Sequence, residues 1–222
     1  MNRILKAVKL DFYSAKSFAP TLGILCVANF IFTFLLAAPI NAIQTGMIFA
    51  IIPGGMVFTA HEGRHAKLYG ILPLQKYEVV VSRYISGAII GVVNLLISCA
   101  FVYIVLLGHP GIFLTPGAGI WPMAMCMFIY YCLSVSIAYP LYFAFGFRRT
   151  VLVTIFPLML IGLLVSYLLV SSPLYSEDWL SRHQLFTGPH LFASIIVVIL
   201  VCLALLAASA LISYAIYKRK EL

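Results

Sequence analysis

Residues 191–217 read LFASIIVVILVCLALLAASALISYAIY, an uninterrupted run without an acidic, basic or histidine side chain, and residues 218–220 close it with Lys-Arg-Lys. At about 1.5 Å of rise per residue, a helix of that length exceeds the roughly 30 Å of a bilayer's hydrocarbon core. Five further runs share the property, near 18–38, 42–60, 84–108, 121–147 and 151–170. The whole chain of 222 residues is 64% hydrophobic and 9% charged, with a mean hydropathy of +1.10. A soluble domain of this size cannot bury so much apolar surface, so lipid is its solvent. The expected fold is all-α: one polytopic transmembrane domain over residues 1–222, with six spanning helices.

The basic residues set the expected orientation. Lys and Arg occupy 3, 6, 9 and 16 before the first run, 64, 67, 76 and 83 between the second and third, 148 and 149 between the fourth and fifth, and 218–220 after the sixth; only Arg182 falls on the other side. By the positive-inside rule both termini are cytoplasmic. The net charge of +8 then reflects topology and anionic lipid headgroups, not nucleic acid. The five cysteines, all inside apolar runs, form no disulfide framework and read as packing thiols.

Residues 1–17 place Ile4, Leu5, Val8, Phe12 and Ala15 at helical spacing, with Arg3, Lys6, Lys9 and Lys16 around the rest of the circumference. That pattern predicts an amphipathic helix lying in the membrane interface. The segment 171–190 is the expected extracellular loop. Residues 61–83, HEGRHAKLYGILPLQKYEVVVSR, form the expected cytoplasmic loop, which mixes Leu68, Tyr69, Leu72 and Tyr77 with charges. A cytoplasmic segment so rich in apolar side chains is built to touch a partner or the membrane surface.

Its first five residues, His61-Glu62-Gly63-Arg64-His65, fit H-E-x-x-H, a zinc-protease pattern. Catalytic zinc needs a third protein ligand and an open position. The other acids expected on the cytoplasmic side are Asp11, Glu78 and Glu221, and position 68 is Leu where the longer metzincin motif has Gly. An integral-membrane zinc metalloprotease is therefore the alternative function. The chain has no G-x-x-x-x-G-K-[ST] phosphate loop, so any ATP must be bound by another protein. Among amides and hydroxyls within the runs, Asn29, Gln44, Asn94 and Ser134 serve either as interhelical hydrogen-bond formers or as groups along a substrate path.

The loop also carries a family resemblance. Glu62, then Lys67-Leu68-Tyr69-Gly70-Ile71-Leu72-Pro73, Lys76, and Val79-Val80-Val81-Ser82-Arg83-Tyr84 leading into the third run, resemble the cytoplasmic loop of bacterial ABC-2-type transporter permeases. Leu74-Gln75 stands where that family commonly has Ser or Thr after Leu-Pro. The resemblance implies a transport subunit that is not itself an enzyme and holds no cofactor of its own. ATP and Mg²⁺ would sit on a separate ABC ATP-binding subunit. A coupling helix in 61–83, with Glu62, Arg64, Lys67, Leu68, Tyr69, Leu72, Pro73, Lys76 and Tyr77, would dock on that subunit. It further implies pairing with a second permease chain, a bacterial plasma-membrane location, and export as the direction of transport. The aromatic interior (Phe30, Phe32, Phe34, Tyr130, Tyr131, Tyr142 and Phe143) points to a hydrophobic or amphipathic cargo such as an antimicrobial peptide.

Overall fold

The computed structural model of the protein describes residues 3–15, 20, 23–24, 27–28, 30–31, 39–58, 74–108, 120–171 and 190–219. Six helices are delimited among them: α1 (Arg3–Ala15), α2 (Pro39–Met56), α3 (Lys76–Gly108), α4 (Ile120–Phe145), α5 (Phe147–Ser171) and α6 (His190–Arg219). No strand occurs among the described residues. Positions described within the first apolar run are helical too, and Phe30 meets Phe101 of α3 edge-on at 5.4 Å between ring centres. Over the described residues, three helical stretches are long and apolar enough to cross a membrane: Lys76–Ile104, Ala124–Phe145 and Phe192–Arg219.

α4 is the central helix, touching α2, α3, α5 and α6. Half of its most apolar stretch is buried, whereas α6 packs one face on α4 and α3 and leaves Leu200, Leu203 and Leu211 exposed. That exposure is the normal condition of a helix whose outer face meets hydrocarbon instead of water.

With lipid outside and apolar side chains inside, close packing and hydrogen bonds must hold the helices together. Glycines of α3 let aromatic rings of α4 approach its backbone. A Cβ at Gly91 would overlap the Tyr131 ring, and one at Gly87 would overlap the Tyr139 hydroxyl. Tyr131 Oη donates to the Gly87 carbonyl at 2.7 Å. Farther along, the Tyr84 hydroxyl of α3 lies 2.6 Å from Ser209 Oγ and 2.8 Å from Ser213 Oγ, one turn apart on α6, and Ser209 donates to the Ser136 carbonyl of α4 at 2.7 Å. Small hydroxyls thus stitch three helices at one level.

Two boundaries differ from the sequence expectation. α3 begins at Lys76, eight residues before the apolar run at 84, because Gln75 and Glu78 start it with half of a capping box: Gln75 N–H donates to Glu78 Oε2 at 2.8 Å. The carboxylate also sits at the positive end of the helix dipole. α4 and α5 are separated by Gly146 alone, with φ of 85°. Its N–H donates to the Tyr142 carbonyl at 2.9 Å, and its carbonyl accepts from Thr150 Oγ1 at 2.6 Å. Only glycine takes that backbone angle without steric cost.

Candidate functional site: an ionic and aromatic hub where α1, α2 and α3 meet

α2 ends in a tightened turn in which Phe58 N–H donates to Gly55 O at 2.9 Å. The last carbonyls of a helix have no partner within it, and here two side chains supply them. Tyr139 Oη of α4 donates to Gly54 O at 2.9 Å. Arg83 Nη1 of α3 donates to Val57 O. A guanidinium at this position also complements the negative end of the α2 dipole.

Arg83 itself is 1% exposed, and the same Nη1 lies 2.9 Å from Oδ1 of Asp11 on α1, whose side chain is fully buried. Ser86, one turn after Arg83, donates to the other Asp11 oxygen at 3.2 Å. Both carboxylate oxygens are therefore held by α3. The Arg83 guanidinium carbon stands 5.6 Å from the centre of the Phe58 ring, within cation–π range.

Phe58 in turn meets three rings of α4 edge-on: Tyr139 at 4.8 Å, Phe143 at 4.9 Å and Tyr142 at 5.3 Å between centres. Tyr84 packs on Tyr139 at 5.0 Å, Phe147 of α5 on Tyr142 at 5.1 Å, and Tyr217 of α6 on Phe143 at 5.5 Å. Such pairs contribute about 0.5–1.5 kcal/mol each beyond the area they bury. The hub thus draws all six helices to the end of α2, where the chain leaves toward residue 59. Chemically it is a junction: the Asp11 carboxylate is engaged by Arg83 and Ser86, and the Tyr139 hydroxyl by the Gly54 carbonyl.

A second feature is an apolar cleft of about 450 Å³ between α3, α4 and α6, lined among others by Val92, Leu95, Phe128, Cys132, Val198 and Cys202. Its volume is that of an ordinary ligand pocket, and its lining is almost wholly apolar.

A family model described as an ABC-2 family transporter protein matches residues 7–218, from the middle of α1 to the end of α6. The chain belongs to the ABC-2 transporter family. It is accordingly a membrane protein and a transport subunit. No curated protein and no solved structure matches the chain.

Placed on this ABC-2 permease, the expected site residues divide into three groups. Glu62, Arg64, Lys67, Leu68, Tyr69, Leu72 and Pro73 lie outside the described residues, as do the two histidines of HEGRH. Lys76 and Tyr77 form the first turn of α3, Lys76 half-buried and Tyr77 exposed. Of the path residues, Asn94 donates its amide to the Gly46 carbonyl and joins α3 to α2, and Ser134 is buried on α4. Asn29 and the Gln44 side chain are outside the described set. Tyr131, Tyr142 and Phe143 are buried in helix packing, and Tyr130 donates to the Leu158 carbonyl of α5.

The site residues that the sequence pattern does not single out are Asp11 and Arg83. Sequence alone makes each a charge on the cytoplasmic side of the first or third run, whereas the structure buries them against each other. Their engagement also bears on the zinc alternative: of the three acids available as a third ligand, Asp11 is paired with Arg83 and Glu78 caps α3.

Proposed function

We propose that this chain is the membrane half of an ATP-driven exporter. Two such chains, identical or related, enclose a path with six spans each and both termini in the cytoplasm of a bacterium. Two separate ATP-binding subunits with ATP and Mg²⁺ dock on the segment 61–83. Leu68, Tyr69, Leu72 and Tyr77 supply apolar anchors there, and Arg64, Lys67 and Lys76 meet acidic groups. Closure of the ATP-binding subunits rocks the spans between access states.

The observation that carries this reading is the family match along nearly the whole chain. The hub supports it, because a segment that receives a mechanical input has to be rooted in something stiff. Phe58, three residues before that segment, is held by Arg83 of α3 and by three rings of α4, and Gln75–Glu78 start a helix within the segment's far end. The apolar cleft and the uncharged faces of the spans favour a hydrophobic or amphipathic cargo.

The test is purification of the full chain co-expressed with each candidate ABC ATP-binding subunit of the same genome. The expected result is a stable complex with ATPase activity, weakened by Lys67→Glu. Absence of any complex would overturn the proposal. The same sample settles the zinc alternative: stoichiometric zinc lost in His61→Ala and His65→Ala would favour a protease.

A further inference from the structure

We propose that Asp11 and Arg83 are positioning residues for transport: their buried pair pins α1 to the end of α2, so that a displacement reaching Val57 and Phe58 is delivered to α1. The source of that displacement, an ATP-binding subunit, rests on the function proposed above; the pin itself rests on geometry.

Among the described residues, Ala7, Val8 and Asp11 are the fully buried side chains of α1, with Ile4 and Leu10 half-buried beside them. Aliphatic side chains cover a neighbour but offer no directional bond to set register and angle. The carboxylate offers two, because one oxygen meets Arg83 and the other Ser86. The outer face of α1 carries Arg3, Lys6, Lys9, Leu5 and Tyr13, a set at ease anywhere along a membrane interface. What α1 follows is therefore decided by its inner face.

Arg83 makes the connection three-way. It starts on α3, pairs with α1, donates to the last turn of α2 and covers the ring of Phe58. A lysine could satisfy the pair but lacks the planar, delocalised cation that lies over the Phe58 ring while it pairs with Asp11. Energetically, a buried ion pair is often no better than well-packed apolar residues of similar size. Its use here, at a junction where an apolar contact would suffice for stability, fits a role in fixing one arrangement over others.

The experiment uses the full chain in lipid nanodiscs, alone and bound to its ATP-binding subunit, with the native cysteines replaced. Spin labels are placed at Lys9→Cys on α1 and Val93→Cys on α3, both exposed positions and neither in the proposed docking segment. The key variant is Asp11→Leu/Arg83→Met, which removes both charges and leaves none uncompensated. Within one chain, the Lys9–Val93 distance should be single and narrow in the parent. In the double variant, its melting temperature near the parent's, the distance should broaden, with Arg83→Lys intermediate.

In the complex, ATP with vanadate should change the distance between the two α1 labels of the parent. In the double variant that change should be lost, while the distance between the two Val93 labels still responds. A merely structural pair would leave the two responses linked. Parent-like widths and responses in both the double variant and Arg83→Lys would overturn the pin. If no ATP-binding subunit binds, the function proposed above fails, and the single-chain widths decide the pin by themselves.

Discussion

Tyr139 shows how much one side chain does in this fold. Its ring is packed by Phe58, Tyr84 and Tyr142, its hydroxyl caps the Gly54 carbonyl, and the same hydroxyl fills the space a Cβ on Gly87 would need. Gly87→Ala should therefore destabilise by about 1–3 kcal/mol through overpacking. Tyr139→Phe should cost less, about 0.6 kcal/mol for a hydrogen bond at membrane depth. In Gly87→Ala/Tyr139→Phe the overlapping oxygen is gone, so the double variant should be less destabilised than the sum by about 0.5 kcal/mol or more. Thermal unfolding of the four proteins in detergent checks this; strict additivity would place the strain elsewhere. None of it was legible in the sequence, where Tyr139 is one aromatic in an apolar run. The Asp11–Arg83 pair was hidden for a related reason. Its members are far apart in the chain, and a charge read from sequence is assigned to water until packing supplies a partner.

At the level of elements, the apolar runs are legible because lipid leaves a spanning helix little choice of composition, and the described helices α2 to α6 overlap five of them. The ends are less so, since a helix stops where its last polar groups find partners, not where its apolar residues stop. The eight extra residues of α3 are signalled by Gln75 and Glu78, a local pattern that a search for apolar length passes over. Gly146 is the same lesson at the α4–α5 junction, where Arg148 and Arg149 drew the expected boundary a few residues too late. Since Gly146 holds φ at 85°, Gly146→Ala should cost about 1–2 kcal/mol for a left-handed L-residue. Gly146→Asn should cost less, because Asn tolerates that region. The readout is the unfolding midpoint of the purified chain. Equal midpoints for all three would mean that the junction relaxes at no cost.

At the scale of the whole molecule, family membership and the charge pattern make separate claims, and only the second fixes which way the chain faces. Thirteen of the fourteen Lys and Arg residues fall on one expected side, with Arg182 on the other. α6 ends at Lys218 and Arg219, exposed beyond its apolar run. Basic residues resist translocation and hold the segments that bear them inside. Green fluorescent protein fused after Leu222 should therefore fluoresce, while alkaline phosphatase fused at the same point should be inactive. A cysteine in place of Arg182 should react with a membrane-impermeant maleimide added to intact cells, and one in place of Arg149 should react only after permeabilisation. Active phosphatase at the C-terminus would reverse the orientation and put 61–83 outside the cell, beyond reach of any ATP-binding subunit. It would leave the helix packing and the Asp11–Arg83 junction as described, because neither depends on which side of the membrane they face.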